Sequence, residues 1–166
     1  YGGIVTAYST DGKVVATGTT GTLTSANPGQ ATLQIPSSVT GAILYKVTGN
    51  ASTTYYDEAS GRNASGADIS LATAAPSVSA AANVGVTPFT TMAAKLSGIN
   101  TAALGTSSYV APATVSAATL NEGASRTLLA LGLPANINLF SVPTPPSASN
   151  PVPTEITGAL LAKIAS

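Results

Sequence analysis

The spacing of apolar residues changes at residues 83–96, and this change constrains the fold more than any other feature of the chain. Before it, β-branched residues and turn signals recur about every eight to twelve residues, which is typical of a small β-sandwich. Thr87 and Pro88 then predict a helix start, because the hydroxyl caps free N–H groups and proline needs no N–H partner there. Apolar residues follow at helical spacing, at Phe89, Met92, Ala93 and Leu96. The sequence therefore predicts β-structure first and helices afterwards.

Six short strands are predicted before this joint. Asp11-Gly12 is a two-residue turn that favours a hairpin. Alternating apolar and polar residues predict a strand at 31–35, with Leu33 and Ile35 turned inward. The remaining strands are predicted at residues 4–10, 13–19, 43–48, 53–56 and 69–72, and residues 60–66 are predicted to form a loop.

The second half of the chain is predicted to be helical. A further helix should run from about residue 113 to residue 131 and end at the following glycine. Gly123 inside this range weakens a helix, which leaves two shorter helices as the alternative. Prolines make residues 141–153 an extended connector, and a last helix should begin near Thr154. The predicted fold class is α+β: an immunoglobulin-like antiparallel β-sandwich of about six to seven strands over residues 1–82, then about three helices over residues 83–166.

Two parts of the chain resemble a known family. Residues 4–17, 31–36 and 43–47 resemble carboxypeptidase-regulatory-like, immunoglobulin-type domains of exported bacterial proteins. The stretch Asn83-Val84-Gly85-Val86-Thr87-Pro88-Phe89-Thr90-Thr91-Met92-Ala93 is similar to the "NVTPLTTLA" joint that often follows such domains in Gram-negative surface proteins. The resemblance weakens after Leu104. It implies export and a sandwich followed by helices, and it brings no active site.

The chain departs from that family at its start. There, a strand and a Gly-Pro loop normally precede the segment equivalent to residues 4–8, whereas here Tyr1 stands almost at the second strand. A sandwich without its first strand would expose unpaired N–H and C=O groups beside an apolar groove. A strand from a neighbouring molecule could fill the groove, and such a head-to-tail contact builds fibres. The alternative is that upstream residues lie outside this sequence, since a Tyr1 start is expected of a processed or trimmed chain.

Composition favours assembly and excludes several partners. Charged residues make up 7% of the chain, against about 25% in ordinary soluble domains, and six basic residues balance six acidic ones. A neutral surface rich in Ser and Thr has little self-repulsion. Nucleic-acid binding is not expected without a basic patch, and membrane insertion is not expected without an apolar run of about 18 residues. No Cys or His occurs, so no cofactor or metal site is predicted.

The remaining reactive and aromatic side chains favour structural roles. Asp57-Glu58 with Asp68 could contact calcium, but a solvated turn is the favoured interpretation. Lys95 lies off the apolar stripe of its helix, so a Ser/Thr–Lys dyad is not predicted. An aromatic platform for sugar rings could form from Tyr45, Tyr55 and Tyr56, although core or rim packing is favoured. The chain is therefore predicted not to be an enzyme.

These observations lead us to expect a secreted structural subunit of an extracellular filament or surface layer, with copies of itself as its partner. Subunits would bury apolar helix faces against one another and add strands to an incomplete sandwich. The alternative is a carbohydrate-binding or adhesive module of a larger bacterial surface protein, and attached glycans stay open. The candidate assembly residues are Tyr1, Ile4, Tyr8, Pro145, Pro146, Pro151, Ile156, Leu160 and Ile164.

Overall fold

A computed structural model describes residues 1–57, 60–78 and 83–140, and within them the chain is α+β. The connector predicted at residues 141–153 and the helix predicted from Thr154 lie outside this part of the chain. The described elements are, in order, β1 (Ile4–Ser9), β2 (Val14–Thr19), β3 (Ile43–Thr48), β4 (Thr54–Asp57), β5 (Arg62–Ser65), β6 (Ser70–Ala75), α1 (Pro88–Leu96) and α2 (Ala117–Ala130).

The main sheet has four antiparallel strands in the order β2-β1-β3-β6. The predicted hairpin is confirmed: Gly12 takes the left-handed φ of 82°, and its N–H donates to the carbonyl of Ser9 at 2.9 Å. Strand β1 pairs on both of its sides, with β2 and with β3. The edges of this sheet are therefore β2 and β6, and the open edge predicted near the start of the chain does not lie at β1.

The predicted immunoglobulin-like sandwich is not confirmed. Strands β4 and β5 form a separate two-stranded ribbon, and half of the loop predicted at residues 60–66 is strand β5. The strand predicted at 31–35 pairs with no described strand. Its side chains nevertheless alternate as predicted, because Leu33 and Ile35 are half-buried and the residues on either side of each are exposed. Alternation decides which side chains face inward, whereas a strand also requires a partner from elsewhere in the chain.

Helix α1 begins where it is predicted to begin. The Thr87 hydroxyl accepts from the Thr90 N–H at 3.1 Å, and the Thr90 hydroxyl accepts from the Thr87 N–H at 2.8 Å, a reciprocal cap. The predicted apolar stripe is only partly buried: Phe89 and Ala93 are inside, but Leu96 is 39% exposed. Thr90 and Thr91 are buried instead.

Helix α2 is one helix of 14 residues, which begins at Ala117 rather than near residue 113. Ser116 caps it, and Gly132 follows its end with a φ of 66°. Gly123 does not split the helix, because it lies where α2 crosses α1. A Cβ at this position would collide with the carbonyl oxygen of Ala93 and the hydroxyl of Ser97. The glycine therefore sets how closely the two helices approach.

The helices cover one face of the main sheet, which we call the helical face. In register across it lie Tyr8, Leu44 and Ala74. They join a buried cluster with residues from α1, α2 and the connection between them: Ala94, Ile99, Leu104 and Leu120. This core therefore contains residues from both sides of residue 83.

On the opposite face of the sheet, residues 31–33 lie against strand β2. The buried residues of this face include Val5, Ala7 and Ile43. At Gly18 in β2, a Cβ would lie 2.7 Å from a terminal methyl of Leu33, so residues 31–35 pass over this strand. Residues 31–35 thus contact β2 through side chains and share no backbone hydrogen bonds with it.

Candidate assembly surfaces

At Ala72, the β6 edge of the main sheet is closed by α1. The hydroxyl of Thr91 accepts from the N–H of Ala72 at 2.8 Å, and it lies 3.0 Å from the carbonyl oxygen of the same residue. The hydroxyl of Thr90 lies 3.3 Å from that oxygen. All three residues are buried, so the edge groups of Ala72 are taken and a second strand has no access there. The predicted apolar stripe missed these threonines, because their burial depends on a strand far away in sequence.

The β2 edge is open. Among residues 1–57, 60–78 and 83–140, no strand pairs with the outer side of Val14–Thr19. Val14 is 58% exposed, and Thr17 and Thr19 are also exposed. The strand itself contains no charged residue and no proline, the two commonest protections of an exposed edge.

The charges nearest to this edge are confined to the hairpin turn. Lys13 lies 2.8 Å from the Asp11 carboxylate, and both side chains are at least half exposed. Hydrogen bonds from Lys13 and then from Ser9 lower the pKa of Asp11 from 3.8 to about 2. The contact with Asp11 raises the pKa of Lys13. Lys13 and Asp11 therefore compensate each other's charge within the turn, and strand β2 carries no charge of its own.

Ile4 marks an uncovered half of the helical face. It is 40% exposed and lies in register between Thr19 and Thr48, and Ser70 continues the same row. With Thr17 these residues form what we call the Ile4 patch. The patch is flat because it lies on a sheet, and it contains only hydroxyls around one apolar side chain. Covering this patch would bury one apolar side chain and no charge, and each hydroxyl would need a hydrogen-bond partner in the covering surface.

Lys46 is the one charged strand residue on the helical face, and the fold engages it. Its ammonium group donates to the carbonyl of Leu104 at 2.9 Å and to that of Ala102 at 3.4 Å. The charge is thereby directed toward the connection between the helices. The sequence predicts only which face of its strand Lys46 occupies.

Two other candidate residues from the start of the chain are anchored. The backbone nitrogen of Tyr1 donates to the carbonyl of Thr54 at 2.6 Å, and the Thr54 N–H donates to the carbonyl of Tyr1 at 3.1 Å. Tyr8 is 8% exposed in the core, and its hydroxyl lies against Gly105. We therefore exclude Tyr8 from any assembly surface. The six other candidates fall outside the described residues: Pro145, Pro146, Pro151, Ile156, Leu160 and Ile164.

The described residues bring no acidic or metal-ligating cluster together. They contain no group of three or more His, Cys, Asp or Glu side chains that could hold a metal ion. Asp57 accepts from the Ser60 hydroxyl at 2.7 Å, Asp68 is exposed, and Glu58 lies outside the described residues. Lys95 is exposed in the last turn of α1.

The three tyrosines do not share one plane. Tyr55 and Tyr56 are neighbours in β4, so they point to opposite faces of the ribbon, and they are 42% and 51% exposed. Tyr45 lies in the main sheet on the face away from the helices, and burial raises its pKa. Tyr55 and Tyr56 therefore do not share one platform.

A cavity of about 400 Å³ opens between the end of β6, residues 83–84 and the start of α2. Its apolar side is formed mainly by Ala74, Leu120 and Phe140, the last of the described residues. Its polar side carries the amides of three asparagines, Asn83, Asn121 and Asn138. None of the described residues that line the cavity is charged, which suits a neutral polar group rather than an ion.

Comparison with protein-family models, with curated proteins and with solved structures finds no match for this chain. The resemblance to carboxypeptidase-regulatory-like domains therefore stays a prediction from the sequence. Neither described helix, of 9 and 14 residues, has the length and hydropathy that crossing a bilayer requires.

Proposed function

We propose that this chain is a secreted structural subunit that assembles with copies of itself into an extracellular filament or surface layer. The observation that carries the proposal is the Ile4 patch, a flat and uncharged half of a sheet face with an exposed isoleucine at its centre. Zero net charge supports it, because copies of the chain do not repel one another.

The proposed subunit also includes a complete sandwich and a third helix. The subunit would be an immunoglobulin-type sandwich in which residues 31–35 belong to the second sheet, and its third helix would lie beyond Thr154. Burial of apolar surface contributes about 25 cal/mol per Å², from which the cost of immobilising each subunit is subtracted. A stable contact therefore needs roughly 1,000 Å² or more, so the Ile4 patch would act together with a second surface.

The first test is electron microscopy of the purified protein at micromolar concentration, with Ile4→Lys as the disrupting variant. Val110→Lys is the matched control, because Val110 is 77% exposed outside the strands and helices. Wild type and Val110→Lys should form regular filaments or sheets, and Ile4→Lys should stay dispersed with an unchanged circular dichroism spectrum. Dispersed wild-type particles at every concentration tested would contradict the proposal.

The amide-lined cavity favours one other function, the binding of a neutral saccharide by an adhesive module. Sugar hydroxyls pair well with amide groups, and Phe140 supplies an aromatic surface for a sugar ring. A glycan-binding screen of wild type and Asn121→Ala tests this alternative. Saturable binding that Asn121→Ala loses would support it, and a screen without binding would remove it.

A further inference from the structure

Residues 31–35 form a strand-like segment without a backbone partner. Their side chains alternate between half-buried and exposed, as in a strand that covers a core. None of their N–H or C=O groups bonds to a described residue, whereas bonds flank the segment on both sides: Gly21 donates to Gln30, and Val39 donates to Pro36. Five consecutive residues thus alternate in burial as a strand does, while their backbone groups bond to no described residue.

A second ladder without a partner among the described strands lies on the outer side of β2. Neither Val14–Thr19 nor residues 31–35 contains a charge or a proline. Monomeric proteins usually place charged residues or prolines on exposed edge strands, which prevents pairing between molecules. Two unprotected strands in one neutral chain are complementary to each other in a pair of copies.

We infer that the β2 edge of one copy pairs with residues 31–35 of a second copy. This inference rests on the proposed function and names the contact through which it would operate. A second copy is the occupant because the chain itself supplies the missing strand, and because its net charge of zero imposes no repulsion between copies.

The contact also explains the position of Leu33. This side chain packs over Gly18 on the face of the sheet away from the helices. A strand added beside residues 31–35 continues the layer that covers this face, and it shields the half-buried Leu33 and Ile35 further from water. Backbone pairing then provides affinity, and apolar burial on one side sets the register. Because the two partners of the contact differ, each addition leaves one free strand and the next copy can join.

The test combines hydrogen exchange with one pair of matched variants. In dilute monomer, the amides of residues 31–35 should exchange at unprotected rates, and the Ala72 amide, bound to Thr91, should be protected. On assembly, protection should rise together at residues 31–35 and in β2 and stay unchanged at Ala72. Unchanged exchange at residues 31–35 in assembled protein would overturn the inference.

The variants are Gln34→Lys and Gln30→Lys, the same change at two exposed glutamines on either side of the segment boundary. A lysine within the pairing segment should raise the concentration needed for assembly about tenfold, whereas Gln30→Lys should not alter it. Equal effects of both variants would also overturn the inference. Failure of wild type to assemble at all would instead remove the proposed function, so the two failures are distinguishable.

Discussion

The two edge strands of the main sheet differ in what happens to their outward-facing N–H and C=O groups. At β6, the hydroxyls of Thr90 and Thr91 bind both backbone groups of Ala72 and close the edge from within the chain. At β2, no described strand closes the outer side, and residues 31–35 pass over the sheet without using their own backbone groups. The outward backbone groups of Ala72 are therefore paired within the molecule, whereas the outer side of β2 pairs with no described strand. Side-chain hydroxyls can seal a strand edge as well as a further strand can.

The largest expected loss of stability lies at the crossing of α2 with α1, the helix that contacts β6. Gly123→Ala should lower the free energy of unfolding by about 3 kcal/mol, because the added methyl meets the Ala93 carbonyl, which the helix holds in place. Gly18→Ala is the matched change in β2, where the methyl meets only the movable end of Leu33. It should change stability by less than about 0.5 kcal/mol. Urea unfolding followed by circular dichroism measures both free energies of unfolding. Equal losses would show that the contact at Gly123 is no more rigid than the contact at Gly18.

Removing the hydroxyl that closes β6 should have the next largest effect. Thr91→Val keeps the shape of the side chain but leaves the buried N–H of Ala72 without its partner, which costs about 1–3 kcal/mol. Thr32→Val, at an exposed threonine in the unpaired segment, is the control and should stay within about 0.5 kcal/mol of wild type. The comparison of edges fails if the two variants unfold at the same urea concentration.

Much of the fold follows from short stretches of sequence. The Asp11-Gly12 turn and the start of α1 at Pro88 depend on neighbouring residues, so they are predictable. Strand β5 is not, because its polar residues become a strand only by pairing with β4. The same limit applies to residues 31–35, where alternation predicts the inward side chains and says nothing of backbone partners.

The candidate surfaces were less predictable than the fold. Exposure of Ile4 depends on where the helices stop covering the sheet, and no local pattern contains that information. Burial of Thr90 and Thr91 follows from their contact with Ala72, so hydroxyls on an otherwise apolar helix face are the one sequence signal that could have indicated it. Tyr8, a candidate assembly residue from the sequence, is buried because strand β1 is central rather than peripheral.

The hairpin turn beside the open edge should show the smallest effect, and only in acid. The pKa of Asp11 is lowered from 3.8 to about 2, so the fold favours its charged form. The resulting stabilisation is present above about pH 4 and is lost as the pH falls toward 2. NMR titration of the Asp11 carboxyl group measures this pKa, and Lys13→Met should raise it toward 3.8. A titration that Lys13→Met leaves unchanged would assign the shift to another neighbour.

Both helices begin with caps made of hydroxyls alone. Thr90 and Thr119 occupy the position where a glutamate often stands, and neither first turn contains an acidic residue. The two ion pairs of the described residues, Lys13 with Asp11 and Arg126 with Glu122, are exposed and contribute little. Dissolved salt therefore has few interactions to screen in this fold. We therefore expect the free energy of unfolding to depend little on ionic strength, a property that would suit the secreted subunit proposed above.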